Sequence, residues 1–165
     1  MRDRSWNGNE RNRLLVNFGD GTFVEAATPL GVDSLRDGRG TVVADFDGDG
    51  DEDLIVNNYR AAPHYYVNEA ANGRWLKVRL RGRRVNRDAV GAVVRARTGP
   101  VTRTRVVTAG DGYASQSSRT VRFGLGPAAS VDELEIVWPG GRRQVLRNVP
   151  AGRILDIEED AGGPP

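Results

Sequence analysis

The sequence of 165 residues contains no cysteine and a single histidine, His64. The missing cysteines exclude a disulfide framework, a thiolate metal site and a cysteine nucleophile. One histidine also excludes the zinc motifs that need two imidazole ligands. No apolar run approaches the roughly 18 residues that cross a bilayer, and residues 1–13 lack the apolar stretch of a signal peptide.

Side chains suited to catalysis are equally scarce. His64 precedes Tyr65 and Tyr66, and no serine or acidic motif beside it suggests a catalytic triad. A histidine in a strand beside two tyrosines is typical of packing or of a surface position. We therefore expect a protein that is not an enzyme.

Charge is divided unevenly along the chain. Residues 1–72 contain 7 basic and 13 acidic residues, a net charge of −6. Residues 73–165 contain 17 basic and 9 acidic residues, a net charge of +8. Such asymmetry indicates two units with different surfaces. We expect the first unit at residues 1–72, the second at 73–160, and a frayed tail at 161–165.

Short apolar segments recur about every dozen residues, with Gly, Pro or Asp between them. This spacing is typical of a β-sandwich or barrel, and no helical period of about 3.6 residues persists over three turns. The sequence therefore predicts an all-β fold. The expected strands are at 14–18, 22–25, 40–46, 53–57, 64–68, 75–81, 89–97, 101–108, 119–124, 133–138, 144–148 and 153–157.

An acidic loop between two of these strands is the most informative segment. Its closely spaced aspartates would repel one another unless a cation neutralised them, and Gly50 permits the sharp turn that such a loop needs. A hard divalent ion with about six or seven oxygen ligands suits this donor set, and Ca2+ fits best. The alternative is a solvated acidic turn without metal. The expected ligands are the side chains of Asp45, Asp47, Asp49 and Asp53 and the backbone carbonyl of Asp51.

The spacing D-x-D-x-D-G begins like an EF-hand loop, but the twelfth position is Val56 and not the bidentate glutamate of that motif. The flanking segments 41–43 and 54–56 are apolar and largely β-branched, which indicates strands. The loop is therefore expected within a β-hairpin.

Together with Asn17–Phe23 ahead of it, the acidic loop resembles the FG-GAP (VCBS-type) repeat over roughly residues 12–70. That repeat is the blade unit of integrin-like β-propellers, and the resemblance implies a structural calcium ion that does no chemistry. Blades come in sets of about seven. We therefore expect this chain to be the C-terminal part of a longer protein, with the missing propeller blades as partners. The alternative is a lone blade that packs on the second unit.

Residues 75–158 resemble the ASPIC/UnbV domain of the cartilage acidic protein-like and UnbV-like family. Five motifs carry the resemblance in the family's order: W-L-K-V from Trp75, N-R-D-A-V-G-A from Asn86, G-Y-A-S-Q-S from Gly112, F-G-L-G from Phe123 and V-W-P-G-G from Val137. The resemblance implies a secreted or periplasmic location. The expected architecture is one β-propeller-like FG-GAP blade with a Ca2+ loop, followed by a C-terminal β-sandwich.

Five residues in predicted loops of the second unit form a candidate ligand site. If these loops meet at one end of the sandwich, they form a polar pocket with one aromatic wall, suited to a sugar or a peptide end. The alternative is that their side chains cap turns by bonding to their own backbone. The residues are Asn86, Asp88, Tyr113, Ser115 and Gln116.

Arginines alternate with apolar residues along several strands of the second unit, as in Leu76–Arg81. This pattern indicates a half-buried sheet with a solvated face. The alternative is an Arg-rich sheet face that binds a polyanion, although no aromatic residues are interleaved to stack on nucleic-acid bases. The expected function is a calcium-binding interaction module without catalysis, whose partner is a protein or a glycan.

Overall fold

The computed structural model describes residues 10–69 and 73–160, and within these two ranges every regular element is a β-strand. Each strand overlaps one of the predicted segments, so the all-β prediction is confirmed. No helix in the described residues could span a bilayer. The strands are β1 (Leu15–Asn17), β2 (Phe23–Glu25), β3 (Gly38–Ala44), β4 (Asp53–Asn58), β5 (Ala61–Tyr66), β6 (Arg74–Arg81), β7 (Val93–Thr98), β8 (Val101–Val106), β9 (Val121–Gly126), β10 (Ser130–Val137), β11 (Arg143–Pro150) and β12 (Arg153–Glu158).

The first five strands form two small antiparallel sheets. β1 and β2 make a hairpin, and β3, β4 and β5 follow one another in a three-stranded sheet. The acidic loop joins β3 to β4, as the sequence predicts, and Val56 lies within β4. Among the described residues of this part, the buried hydrophobic side chains are Ala27 and Val56 alone. The two sheets therefore enclose almost no core of their own.

The other seven strands build a β-sandwich. One sheet has the order β12-β6-β9 and the other the order β11-β10-β7-β8. β12 runs parallel to β6, whereas the remaining pairs are antiparallel. Apolar side chains from the inner faces meet in a single core that extends from Leu76 to Ile157, with Phe123, Leu134 and Ile136 fully buried at its centre. The described part of the chain thus has its hydrophobic core in the sandwich.

Most strands differ from their predicted bounds by a few residues, and β7 has the largest shift. β7 begins at Val93 and not at Ala89, because Ala89 adopts a positive φ of 52° and bonds to the Asn86 carbonyl in a turn. β5 occupies Ala61–Tyr66, which is earlier than the expected 64–68. The tail expected at 161–165 lies outside the described residues.

Lys77 is the clearest departure from the predicted pattern. Alternation along β6 places Lys77, Arg79 and Arg81 on a solvated face, and the two arginines are indeed exposed. Lys77 is only 4% exposed, however. It is buried because the acidic loop lies against this part of the sheet, which brings the first unit into contact with the sandwich.

Candidate functional site

Three aspartates of the acidic loop converge. Each of Asp45, Asp47 and Asp49 offers a carboxylate oxygen, and these oxygens lie within 4.8 Å of one another. The loop backbone holds them in place, since Gly48 N–H donates to Asp45 Oδ1 at 2.7 Å and Asp51 N–H donates to Asp49 Oδ1 at 2.9 Å. Asp47 and Asp49 are exposed, so this cluster opens to solvent.

Asp53 lies outside that cluster and is 1% exposed. Its Oδ1 accepts the N–H of Asn68 at 2.9 Å, and its Oδ2 accepts the N–H of Phe46 at 3.0 Å and the hydroxyl of Tyr65 at 3.1 Å. The hydrogen bond from Asn68, with those from Phe46 and Tyr65, keeps the pKa of Asp53 below its usual value despite burial. Both oxygens of this expected ligand are thus engaged by protein donors.

The Asp51 backbone carbonyl and the Asp45 carboxylate both meet the ammonium group of Lys77. Lys77 Nζ donates to Asp45 Oδ2, and Asp51 O lies 3.4 Å from the same nitrogen. Burial alone would raise the pKa of Asp45, but the hydrogen bonds from Lys77, Gly48 and Gly50 outweigh it and leave that pKa lowered.

Two further residues of the sandwich hold the loop against the β12-β6-β9 sheet. Arg122 Nε donates to the Gly50 carbonyl at 3.0 Å. The indole of Trp75 covers Gly50, where an added Cβ would overlap the ring. Trp75, Lys77 and Arg122 share the outer face of the sheet, since Lys77 pairs with Arg122 in register. The acidic loop therefore packs on the outer face of the β12-β6-β9 sheet through these residues.

These three residues escape the sequence-based prediction. Lys77 is the one lysine among 24 basic residues, which is a visible signal. Nothing in the alternating pattern of β6, however, connects it with a loop some thirty residues earlier. Trp75 and Arg122 likewise carry no sequence signal for a contact with the loop.

The donor set of the loop fits a hard divalent cation. Carboxylate and carbonyl oxygens are the ligands that Ca2+ prefers. Three carboxylates supply oxygens at close range, and the loop already faces a cation, the Lys77 ammonium, at two of the expected ligand groups. Asp45, Asp47, Asp49 and the Asp51 carbonyl are the groups that could hold such an ion.

The five residues of the predicted ligand loop are not brought together in one pocket. Asn86 caps its own turn, because its side chain accepts the N–H of Val90 at 2.7 Å and donates to the Val90 carbonyl at 2.9 Å. Ser115 packs beside Gly40 in β3. Tyr113 is 75% exposed. The segment with Tyr113 and Ser115 thus lies along the edge of β3.

Asp88 and Gln116 do meet, at Arg119. Asp88 Oδ2 lies 3.2 Å from Arg119 Nη1, and Gln116, with its amide oxygen toward Arg119, accepts a hydrogen bond from Nη2 at 3.1 Å. These three residues line an open groove of about 760 Å³. Three more arginines complete the basic lining: Arg79, Arg81 and Arg87.

Arginines on the four-stranded sheet are largely neutralised by carboxylates. Glu135 lies 2.6 Å from Arg95 and 2.8 Å from Arg143. Glu133 lies 2.8 Å from Arg147 in the same arrangement. Arg103 and Arg105 pair in register with Ala96 and Val94, which are buried in the core. The two arginines therefore lie on the face of the sheet opposite to that of Arg95. On this sheet, the Arg-rich face that the sequence leaves open as an alternative is interrupted by rows of glutamates.

His64 contacts Tyr66 on the same strand. Its Nδ1 lies 3.2 Å from the Tyr66 hydroxyl, and the two rings pack edge to face at 5.7 Å. The histidine therefore forms part of an aromatic contact on β5.

Comparison with known sequences gives two family matches along the chain. The FG-GAP-like repeat matches residues 3–56, and the family described as ASPIC and UnbV matches residues 82–164. Cartilage acidic protein 1 of Homo sapiens is 42% identical over 76 residues, which are 46% of this chain and 11% of that protein. Its counterparts in Xenopus tropicalis and Mus musculus are 41% identical over the same length.

The chain thus spans about a tenth of the length of these curated relatives, 11% in each case. The ASPIC and UnbV match covers half of the chain and includes β7–β12 of the sandwich. The FG-GAP-like match covers β1–β3 and the acidic loop. The chain therefore belongs to the ASPIC/UnbV family and carries an FG-GAP-like repeat ahead of that domain.

Proposed function

We propose that this chain is a calcium-binding interaction module without catalytic activity, in which Ca2+ stabilises the acidic loop. The observation that carries the proposal is the convergence of Asp45, Asp47 and Asp49 oxygens within 4.8 Å. Three carboxylates so close together repel one another, and a divalent ion that binds them removes this repulsion. The role of the ion is structural because it fixes the loop that docks on the sandwich.

Thermal unfolding with and without calcium tests this proposal. An ion that binds only the folded chain raises Tm by mass action. We expect Ca2+ to raise the Tm of the wild type and to leave the Tm of Asp47→Ala unchanged. Asp156→Ala, which removes an exposed carboxylate outside the loop, is the matched control and keeps the calcium response. A wild-type Tm that is equal in calcium and in chelator refutes the proposal.

The proposal divides the chain into two structural units. Residues 1–72 form the FG-GAP-type blade with the calcium loop, and residues 73–160 form the ASPIC/UnbV sandwich. Strand pairing supports a boundary between β5 and β6, because β5 pairs with β4 whereas β6 pairs with β9 and β12. Both domain types occur in extracellular interaction proteins. We therefore place the chain in a secreted or periplasmic protein, where free Ca2+ is abundant.

Further FG-GAP blades are the proposed partners of the first unit. Large apolar side chains of this unit are exposed, among them Leu15 at 60%, Phe18 at 65% and Phe23 at 59%. A propeller blade buries such side chains against its neighbours. This apolar surface supports packing against another blade over a lone blade packed only on the sandwich.

Binding of an acidic glycan is a second candidate function. The observation that favours it is the groove of about 760 Å³, whose lining has four arginines, Arg79, Arg81, Arg87 and Arg119, against three carboxylates, Asp88, Asp156 and Glu158. Guanidinium groups bind carboxylates and sulfates in bidentate fashion. Two residues of the predicted ligand loop, Asp88 and Gln116, contact Arg119 there.

A glycan array tests the second candidate. We expect the wild type to bind sulfated or carboxylated glycans and Arg119→Gln to lose this binding. Tyr113→Ala removes an exposed aromatic side chain outside the groove lining and is the control that retains binding. If binding survives Arg119→Gln but fails in Tyr113→Ala, the site is not in the groove.

A further inference from the structure

Two groups that are expected to ligate the metal already contact a cation of the protein itself. The Lys77 ammonium donates to Asp45 Oδ2 and lies 3.4 Å from the Asp51 carbonyl oxygen. The ligand groups expected for a metal ion in the loop include this same carboxylate and this same carbonyl. Lys77 and the ion therefore share ligands, although Lys77 belongs to β6 of the sandwich and not to the loop.

The side chain of Lys77 is almost fully buried between Trp75 and the acidic loop. Its side chain is 5% exposed, and its ammonium lies 5.2 Å from the ring centroid of Trp75. A buried ammonium is costly unless a counter-charge neutralises it, and here the carboxylate of Asp45 does so. The lysine and the loop are thus complementary even without a metal ion, because one positive charge offsets part of the negative charge of the loop.

We infer that Lys77 is the resident cation of the acidic loop, and that it competes with Ca2+ for Asp45 and the Asp51 carbonyl. This inference rests on the proposed function. Its consequence is that the sandwich sets the calcium affinity of the loop. A positive charge in direct contact with one ligand disfavours a divalent ion nearby, so the loop binds Ca2+ more weakly than its carboxylates alone would.

The neighbourhood of the ammonium offers it a place to move. A crevice of about 130 Å³ opens beside Lys77, and Asp45 and Glu52 are among its lining residues. When an ion takes Asp45, the ammonium can turn into this crevice toward Glu52. Calcium loading then changes the contact between the loop and β6, so the ion and the docking of the two units are coupled.

Isothermal titration of the intact chain with CaCl2 tests the competition. Lys77→Met removes the charge and keeps an unbranched side chain, and we expect it to bind Ca2+ at least about tenfold more tightly than the wild type. Lys77→Arg keeps the charge and is expected to stay within about threefold of the wild type. Arg81→Met removes an exposed cation from the same strand and is the control, with an unchanged Kd.

Thermal unfolding in chelator supplies a second readout. Lys77→Met leaves Asp45 without its counter-charge, so its Tm in chelator falls below that of the wild type, and its calcium-induced rise in Tm is larger. An equal or weaker affinity in Lys77→Met than in the wild type overturns the competition alone. If neither protein binds Ca2+ at millimolar concentration, the proposed function fails and this inference fails with it.

Discussion

The backbone of Gly50 lies directly against the indole of Trp75, so that a Cβ added at Gly50 would overlap the ring. Gly50 also has a positive φ of 105°, a conformation that residues with a side chain rarely adopt. Glycine is therefore required here for two independent reasons. The acidic loop therefore lies in close contact with the sandwich at this point.

Substitution of Gly50 measures the strength of that contact. We expect Gly50→Ala to lower the free energy of unfolding in chelator by at least about 2 kcal/mol, because it adds a steric overlap to backbone strain. Gly48→Ala is the matched control, since Gly48 has a φ of 83° but no atom within 4 Å of an added Cβ. It should cost about 1 kcal/mol from strain alone. If denaturant unfolding shows the same loss of free energy of unfolding in both variants, the Trp75 ring moves aside without an energetic cost.

Asp53 and Asp47 are expected to respond differently to substitution, although the sequence assigns both to the metal. Asp53 is buried and accepts three hydrogen bonds from the protein, whereas Asp47 is exposed. In chelator, Asp53→Asn should lower Tm by several degrees, because the neutral amide cannot accept all three donors. Asp47→Ala should leave Tm in chelator nearly unchanged. A calcium response that vanishes in Asp53→Asn, with its stability in chelator intact, would instead make Asp53 a ligand.

Much of the fold follows from local patterns. The apolar segments and the turn residues between them predict all twelve strands, because alternation and turn chemistry are local properties of the chain. The acidic loop is equally local, and its three converging aspartates lie within five residues of sequence. Asn86 bonds to its own turn, which is the alternative that the sequence leaves open.

Contacts between distant segments are what local patterns miss. Alternation correctly places Lys77 on the outer face of its sheet, but it cannot say that another part of the chain covers that face. The same holds for Arg103 and Arg105, whose face depends on their register with β7. The parallel pairing of β12 with β6 is also non-local, since it joins residues more than seventy positions apart.

Glu159 shows how such a non-local contact stabilises the sandwich. It is 2% exposed, and its Oε2 accepts the backbone N–H groups of Arg83, Arg84 and Val85 at 2.9, 2.8 and 3.2 Å. The segment after β12 is thereby tied to the turn after β6. The N–H of Arg84, with those of Arg83 and Val85, lowers the pKa of Glu159 from its ordinary value of 4.5 despite burial.

Glu159→Gln should lower Tm by about 3–6 °C at neutral pH, because a neutral amide is a weaker acceptor for three N–H donors. The lowered pKa fixes the pH dependence. A carboxylate whose pKa is lower in the folded state stabilises the fold above its unfolded pKa, here about 4.5, and loses this effect as pH falls through the folded pKa. The difference in Tm between wild type and variant should therefore be constant above about pH 5 and shrink below pH 4. If the difference in Tm persists in strong acid, the loss of stability in Glu159→Gln comes from packing and not from the charge.

The exposed apolar side chains of the first unit predict that the chain associates with itself. Phe18 and Phe23 are 65% and 59% exposed on or beside the β1–β2 hairpin. If this surface packs against further blades, the isolated chain should associate with itself as its concentration rises, since apolar surface is buried wherever a partner is present. Sedimentation velocity should show this association, and Phe18→Ser with Phe23→Ser should abolish it. Val101→Ser with Val106→Ser is the control and should leave the association unchanged, because these side chains are 45% and 49% exposed on β8 of the sandwich. A wild-type chain that stays monomeric at all concentrations would instead favour a lone blade supported by the sandwich, with Trp75, Lys77 and Arg122 as the contacts that keep it folded.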